Sequence, residues 1–284
     1  MKGHARAPAA GTVLNALATG VGSAFAIDME TRATVALHEE GGVTGEIAED
    51  DSADTSLIER CVELSLERYG EGTYKGGTVR TESDIPIAAG LKSSSAAANA
   101  TVLATLDALG EASVDRVEAT LVGVEAARDV GVTVTGAFDD ASASMLGGVT
   151  VTDNNDDRLL AQDTFERSVA VYVPPEQAFS AEADVNACKR IGIVAEAVAD
   201  LATSGAYEQA MTINGFAYTA ALNFSAEPML DVLPDVDGVS LSGTGPSTVA
   251  IGTEEAIAAA ARIWDERPGT VRITTTDQEG GTII

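Results

Sequence analysis

Asp84-Ile-Pro-Ile-Ala-Ala-Gly-Leu-Lys-Ser-Ser-Ser-Ala-Ala-Ala-Asn99 joins a Gly-containing turn and three consecutive hydroxyls to the start of a helix. The Ala-rich run from Ala96 to Leu109 is a strong helix former, and Gly110 is a good stop behind it. Ser93, Ser94 and Ser95 are placed to cap the first N–H groups of that helix. The positive end of its dipole, with its orphan donors, would face whatever sits over Gly90 and Lys92, and a polyphosphate suits such a cradle. A plain capped helix is the competing reading of a Ser-rich turn. Three hydroxyls behind Gly-Leu-Lys favour the anion site.

Two further stretches strengthen it. Ser242-Gly-Thr-Gly-Pro-Ser247 lies between two apolar, strand-like segments, and its glycines permit close backbone approach to a ligand or to the first loop. Thr135-Gly-Ala-Phe-Asp-Asp-Ala-Ser-Ala-Ser-Met-Leu-Gly-Gly148 sets Asp139 and Asp140 side by side among small residues. One carboxylate is suited to accept a hydroxyl proton or orient a nucleophile while its neighbour holds the loop; in so acidic a chain, a solvated turn is the alternative.

Between these stretches strand and helix signals alternate without an internal repeat. Strands are expected at Ala24–Leu37, 78–81, 132–135, 147–152 and 168–173, with helices at Leu57–Tyr69 and Asp115–Val130. Past the polar turn Asp153-Asn-Asn-Asp-Asp157 come two helical stretches between Ala183 and Leu222, then strands at 239–241, 250–251 and 271–275 around a helix from Glu254 to Trp264. The fold class is α/β (α+β) in two lobes, residues 1–155 and 156–284, with the boundary placed at the acidic turn.

A length of 284 residues allows two lobes and a substantial core, and with 4% aromatic residues that core must rest on Ala, Val, Leu and Ile. The formal net charge of −27 repels phosphate backbones and anionic bilayers, so neither nucleic acid nor membrane is an expected partner. Lysine is confined to Lys2, Lys75, Lys92 and Lys189. An acidic, lysine-poor surface resembles that of proteins from salt-in halophiles, in which high ionic strength screens self-repulsion. Cys61 and Cys188, lacking a Cys-x-x-Cys spacing, are expected to be buried and inert. With no apolar run of membrane-spanning length and no signal-peptide pattern, a soluble cytoplasmic protein is expected.

Together, Pro86 to Ser94, Asp139-Asp140-Ala141 and Gly243-Thr-Gly-Pro246 resemble the GHMP kinases, small-molecule kinases that have no Walker A loop. Lys92 stands where the family's Gly-Leu-Gly-Ser-Ser turn has its last glycine. The resemblance implies a ribosomal-protein-S5-like N-terminal lobe, a ferredoxin-like C-terminal lobe, and ATP with Mg²⁺ as cofactors. It implies that Pro86, Ile87, Ala88, Ala89, Gly90, Leu91, Lys92, Ser93, Ser94, Ser95, Gly243, Thr244 and Gly245 hold the nucleotide and that Asp139 is the catalytic base. Ser94 and Glu125 are implied as metal ligands, with Asp129 as the fallback for the latter.

The run Ala7-Pro-Ala-Ala-Gly-Thr-Val-Leu-Asn-Ala-Leu-Ala-Thr-Gly20, the segment Gly22 to Asp28 and the Gly-Leu-Lys-Ser-Ser-Ser form of the cradle are similar to the archaeal branch of that family that phosphorylates shikimate. The 3-hydroxyl is then the acceptor, and Asn15, Asp28 and Asp140 are candidates to read the small-molecule substrate. Its carboxylate needs a cation, for which Arg6, Arg128, Lys189 and Arg190 are available. A sibling acting on homoserine or mevalonate, and a relative that binds without turnover, are the alternatives.

Overall fold

The computed structural model describes residues 1–86, 89–133, 137–175 and 183–284. Two long antiparallel strands, β1 (Lys2–Leu14) and β2 (Val21–His38), form the spine of the first sheet. The far half of β2 pairs with β4 (Gly76–Ser83), which carries β3 (Gly42–Ile47) parallel to it. The near end of β2 pairs with β5 (Val149–Asp153), and β5 turns back into β6 (Arg158–Asp163). A short strand from the end of the chain, β11 (Thr282–Ile283), closes the other edge against β1. Residue 155 therefore sits in the β5–β6 turn, and β6 and β11 extend the first sheet from the far side of it.

Side chains alternate between the faces of a strand, and an irregularity between Pro8 and Ala9 reverses the phase of both spine strands. Before it, Ala5 and Ala7 with Ala33, Val35 and Leu37 pack under helices of the first lobe. After it, Val13, Phe25 and Ile27 face the second lobe, while Ala10 and Ala24 turn to the helix side. One pair of strands thus serves two cores, and the site lies beyond the irregularity, at the end where β1 turns into β2.

The helices over the first core are α1 (Ser56–Tyr69), α2 (Ser93–Leu109), α3 (Arg116–Asp129) and α4 (Phe138–Leu146). Apolar residues around most of its circumference bury α2, and its alanines let it lie almost on the β1 backbone. A Cβ added to Gly3 would collide with the Ala104 carbonyl and the Ala108 nitrogen.

The second sheet is antiparallel, ordered β10 (Thr270–Thr275), β7 (Ser168–Val173), β9 (Thr248–Gly252) and β8 (Gly238–Leu241). Its helices are α5 (Val185–Arg190), α6 (Gly192–Thr203), α7 (Tyr207–Ala221), α8 (Glu227–Val232) and α9 (Glu254–Trp264). Three helices, not the expected two, occupy 183–222, because the chain breaks step at Ile191 between α5 and α6. Val169, Val171, Met211, Val249 and Ile251 meet the β1–β2 face in one apolar cluster, so the lobes are fused through a common core. Residues 132–133 form no strand, and the remainder of the strand expected at 132–135 lies outside the described residues. Cys61 and Cys188 are both buried, and desolvation pushes their thiols up to about 12 and about 11, as inert groups require.

Candidate active site

The cradle forms because Gly90 and Lys92 both take left-handed backbone conformations, with φ of 73° and 64°, which swing the chain abruptly into α2. Lys92 is the N-cap, and among the described residues no side chain caps this helix end, contrary to the expectation for the three serines. Among the described residues the backbone N–H groups of Ser93, Ser94 and Ser95 meet no acceptor, and their hydroxyls make no hydrogen bond. A helix of 17 residues therefore opens onto the site with its first donors unused, which suits an anion better than a self-capped end would. Of the expected cradle residues, Ile87 and Ala88 lie outside the described residues, and Pro86 is half-buried just before them.

The second glycine turn is docked on the first. Ser242 donates its hydroxyl to the Gly90 carbonyl at 2.9 Å, and the Gly243 N–H donates to Thr12 Oγ1 at 2.8 Å. No side chain fits at Gly90, where a Cβ would strike the Ser242 carbonyl, and one at Gly243 would be crowded and strained, 3.0 Å from Lys92 Nζ and 3.1 Å from the Gly90 carbonyl oxygen on a backbone with φ of 58°. Gly243 and the Gly245 carbonyl thus lie directly against the cradle, while the Cα side of Gly245 faces Phe224 and Leu241.

The carboxylates arrive from α4, whose entry is set by Ala137 in a left-handed conformation and by buried Phe138 packing on Val124 of α3. Asp139 and Asp140 occupy the first turn, where the helix dipole favours negative charge. Lys92 Nζ reaches Asp140 Oδ1 at 2.8 Å from a position only 8% exposed, so phosphate grip and carboxylate pair share one mouth. Asp139 is 5% exposed. It fits there because β2 offers Gly22, where a Cβ would lie 2.6 Å from the Cβ and Cγ of Asp139. Burial first, and the neighbouring Asp140 charge second, push the Asp139 carboxyl up to about 7, against the pull of Lys92 and of a hydrogen bond from Asn154. A carboxylate so poised suits general-base work at neutral pH.

Asn154 is the neighbour of Asp139 that sequence reasoning missed. Its Nδ2 donates to Asp139 Oδ1 at 2.7 Å, and its Oδ1 accepts from the Asp139 N–H at 3.1 Å and from Thr152 Oγ1 at 2.8 Å. The sequence places it in an acidic turn as one of two asparagines among aspartates, and nothing local sets it apart from Asn155.

Three expected residues have other placements. Glu125 pairs with Arg68 of α1, and its fallback Asp129 pairs with Arg60 of the same helix. Four residues apart, they share the stripe of α3 that faces α1, whereas Val117, Leu121 and Val124 face Phe138 and Ala141 of α4. Both carboxylates are thus engaged by arginines of α1, and among the described residues no cluster of three or more acidic, His or Cys side chains could hold a metal. As placed, the Glu125 carboxylate is engaged by Arg68.

Asp28 is exposed on β2, where its carbonyl accepts from Thr274, about 20 Å of strand away from Gly22 and hence from Asp139. Asn15 is buried beside the second turn as a strut: Nδ2 donates to the Gly243 carbonyl at 2.8 Å and Oδ1 accepts from the Leu17 N–H at 2.9 Å. Asp140, by contrast, is at the mouth.

A helix-headed anion cradle interlocked with a second glycine turn and opening onto a buried carboxylate defines a phosphoryl-transfer enzyme of the GHMP class. Residues 56–148 match the GHMP kinases N terminal domain family. The whole chain also shares the fold of a homoserine kinase from Cytophaga hutchinsonii (TM-score 0.75, 17% identity, covering 100% of this chain and 97% of that one). A mevalonate kinase from Methanococcus jannaschii is similar in the same way (TM-score 0.76, 16% identity, 98% of each). Curated relatives are far nearer in sequence. A protein named shikimate kinase from Halobacterium salinarum is 62% identical over 282 residues, 99% of each chain, and one from Methanocella arvoryzae is 50% identical over 287 residues, 100% of this chain and 97% of its own. The chain belongs to the archaeal shikimate kinases of the GHMP kinase family.

Proposed function

We propose that the protein transfers the γ-phosphoryl group of ATP to the 3-hydroxyl of shikimate, giving shikimate 3-phosphate and ADP on the way to chorismate and the aromatic amino acids. Near-full-length identity to proteins named shikimate kinase supports the substrate. The observation that carries the chemistry is the Lys92–Asp140 contact, which joins the phosphate cradle to the carboxylates.

In this reading the N–H groups of Ser93, Ser94 and Ser95 and the turn at Gly243 take the phosphate oxygens, and Lys92 offsets the charge that gathers during transfer. Asp139 accepts the proton of the attacking hydroxyl, and Asp140 holds Lys92 in place. Mg²⁺ is expected to accompany the nucleotide, drawing its ligands mostly from phosphate and water. With Glu125 turned to α1, no step is assigned to it.

Arg6 is engaged by Glu30, Asp277 and Glu279, Arg128 by Asp157 and Arg190, at 4.0 Å, by Asp184, so that of the four cations Lys189 is the one without an ion pair among the described residues and the first candidate for the substrate carboxylate, with its neighbour Arg190 next. Both are exposed at the end of α5, whose Cys188 packs with Leu17 of the β1–β2 turn. No helix among the described residues is long and apolar enough to cross a membrane, and a cytoplasmic setting belongs to the same reading. Coupled ADP release in molar KCl, with shikimate, homoserine and mevalonate offered separately, tests the proposal. Turnover with shikimate alone is expected. Turnover with another of the three, or nucleotide binding without turnover, would overturn it.

A further inference from the structure

We infer that Asn154 is a positioning residue of the reaction, holding one oxygen of Asp139 by its amide so that the other faces the acceptor hydroxyl. The inference rests on the reading of Asp139 as the base. Three observations carry it, all geometric. The side chains of Asn154 and Asp139 form a closed ring: amide nitrogen to carboxylate at 2.7 Å, and Asp139 N–H back to the amide oxygen at 3.1 Å. The orientation of the amide is itself fixed, because Thr152 Oγ1 donates to that oxygen at 2.8 Å and the Asn154 N–H donates to the Gly20 carbonyl at 2.8 Å. Gly22 provides the space, since β2 passes so close that any larger residue would displace the carboxylate.

The arrangement does more than hold the α4 terminus. Capping the Asp139 N–H requires only the amide oxygen, and a serine or aspartate would do it. The nitrogen has no role in capping, and its sole acceptor among the described residues is Asp139 Oδ1. A neutral donor at that point favours the ionised carboxylate without adding a charge that would compete for phosphate. The other groups that act on Asp139 are Asp140 from its own helix, Lys92 from α2 and the Tyr218 hydroxyl from α7. Of these Asp140 opposes ionisation and Lys92 favours it, and Asn154 adds to the latter.

The test uses the full chain with Asn154→Asp and Asn154→Ala beside Asp139→Asn, reading kcat against pH, KM for ATP and thermal midpoint. Asn154→Asp keeps the acceptor for the Asp139 N–H and the Thr152 hydroxyl, loses the donor and adds a like charge. The acid limb of its kcat profile is expected to move up by about one pH unit or more, with kcat at neutral pH down about tenfold and KM for ATP little changed. Asn154→Ala is expected to shift the limb in the same direction. A lowered melting temperature with an unmoved limb would assign Asn154 a merely structural role and overturn the inference. Should neither variant fold, Thr152→Val carries the test, an unmoved limb again overturning it. Near wild-type turnover in Asp139→Asn would instead refute the base assignment and the inference with it.

Discussion

Gly22→Ala perturbs the position of Asp139 without changing the chemistry of any group that binds or reacts. The added Cβ would lie 2.6 Å from the Cβ and Cγ of Asp139, where carbon contacts settle at about 3.5–4.0 Å. The carboxylate must therefore retreat by about 1 Å, and the Asn154 ring must open or move with it. A displacement of that size at a reacting group costs on the order of 10²-fold, or about 2.7 kcal/mol of transition-state stabilisation. The overlap costs the fold about 1–3 kcal/mol, partly offset by the about 0.5–1 kcal/mol that alanine gains over glycine in a strand. Steady-state kinetics with shikimate and ATP should therefore show kcat down about a hundredfold, KM for ATP little altered and a modest loss of melting temperature. Gly192→Ala, at the start of α6 where a Cβ meets nothing within 4 Å, is the control and should leave kcat unchanged. A Gly22→Ala enzyme with wild-type kcat would mean that the carboxylate tolerates this shift and that its position does not govern the rate.

Asp139→Asn should lower turnover by about 10²-fold or more while raising stability at alkaline pH. The folded carboxyl titrates near 7 against an ordinary value of 3.8, so its ionisation destabilises the native state progressively as pH rises from 4 through 7. The variant should melt above the parent at pH 8 and level with it below pH 4, and an equal difference at both would refute the assignment. By the same titration, wild-type kcat should rise with pH through about 7, and a flat profile from pH 5 to 8 would contradict a buried base. Gly3→Ala drives a methyl into the α2 backbone and should cost about 3 kcal/mol in a denaturant midpoint measured in high salt. With a net charge of −27, the melting temperature should climb between dilute and molar KCl, and an unchanged value would refute screening as a requirement of the fold.

Much of the site was legible because its signals are local. A glycine turn, three serines and an alanine-rich run predict an anion-binding helix end from adjacent residues alone, and α2 appears with its stop at Gly110. The failures share one cause, which is that spacing along a chain does not specify direction in space. Glu125 lies on the expected helix, yet a single residue's rotation separates it from Val124, which faces α4. Asp28 belongs to the expected strand, but the length of an extended chain carries it away from the mouth. The polar turn after β5 reads as solvent-exposed throughout, and Asp153, Asp156 and Asp157 account for that impression. Asn154 is buried because β5 ends against the entry of α4, a contact that depends on pairing between β2 and β5 and has no trace in local sequence.

The strand β11 has a bearing on biogenesis. It pairs with β1 through Ala5 opposite Ile283 and Arg6 opposite Thr282, and the Ile284 N–H donates to the His4 carbonyl. β1 leaves the ribosome well before β11, so this edge stays open until the second lobe, which lies between them in sequence, has emerged. The nascent chain therefore exposes an unpaired strand edge for as long as the residues between Leu14 and Thr282 are being made, the interval in which chaperone capture would matter most.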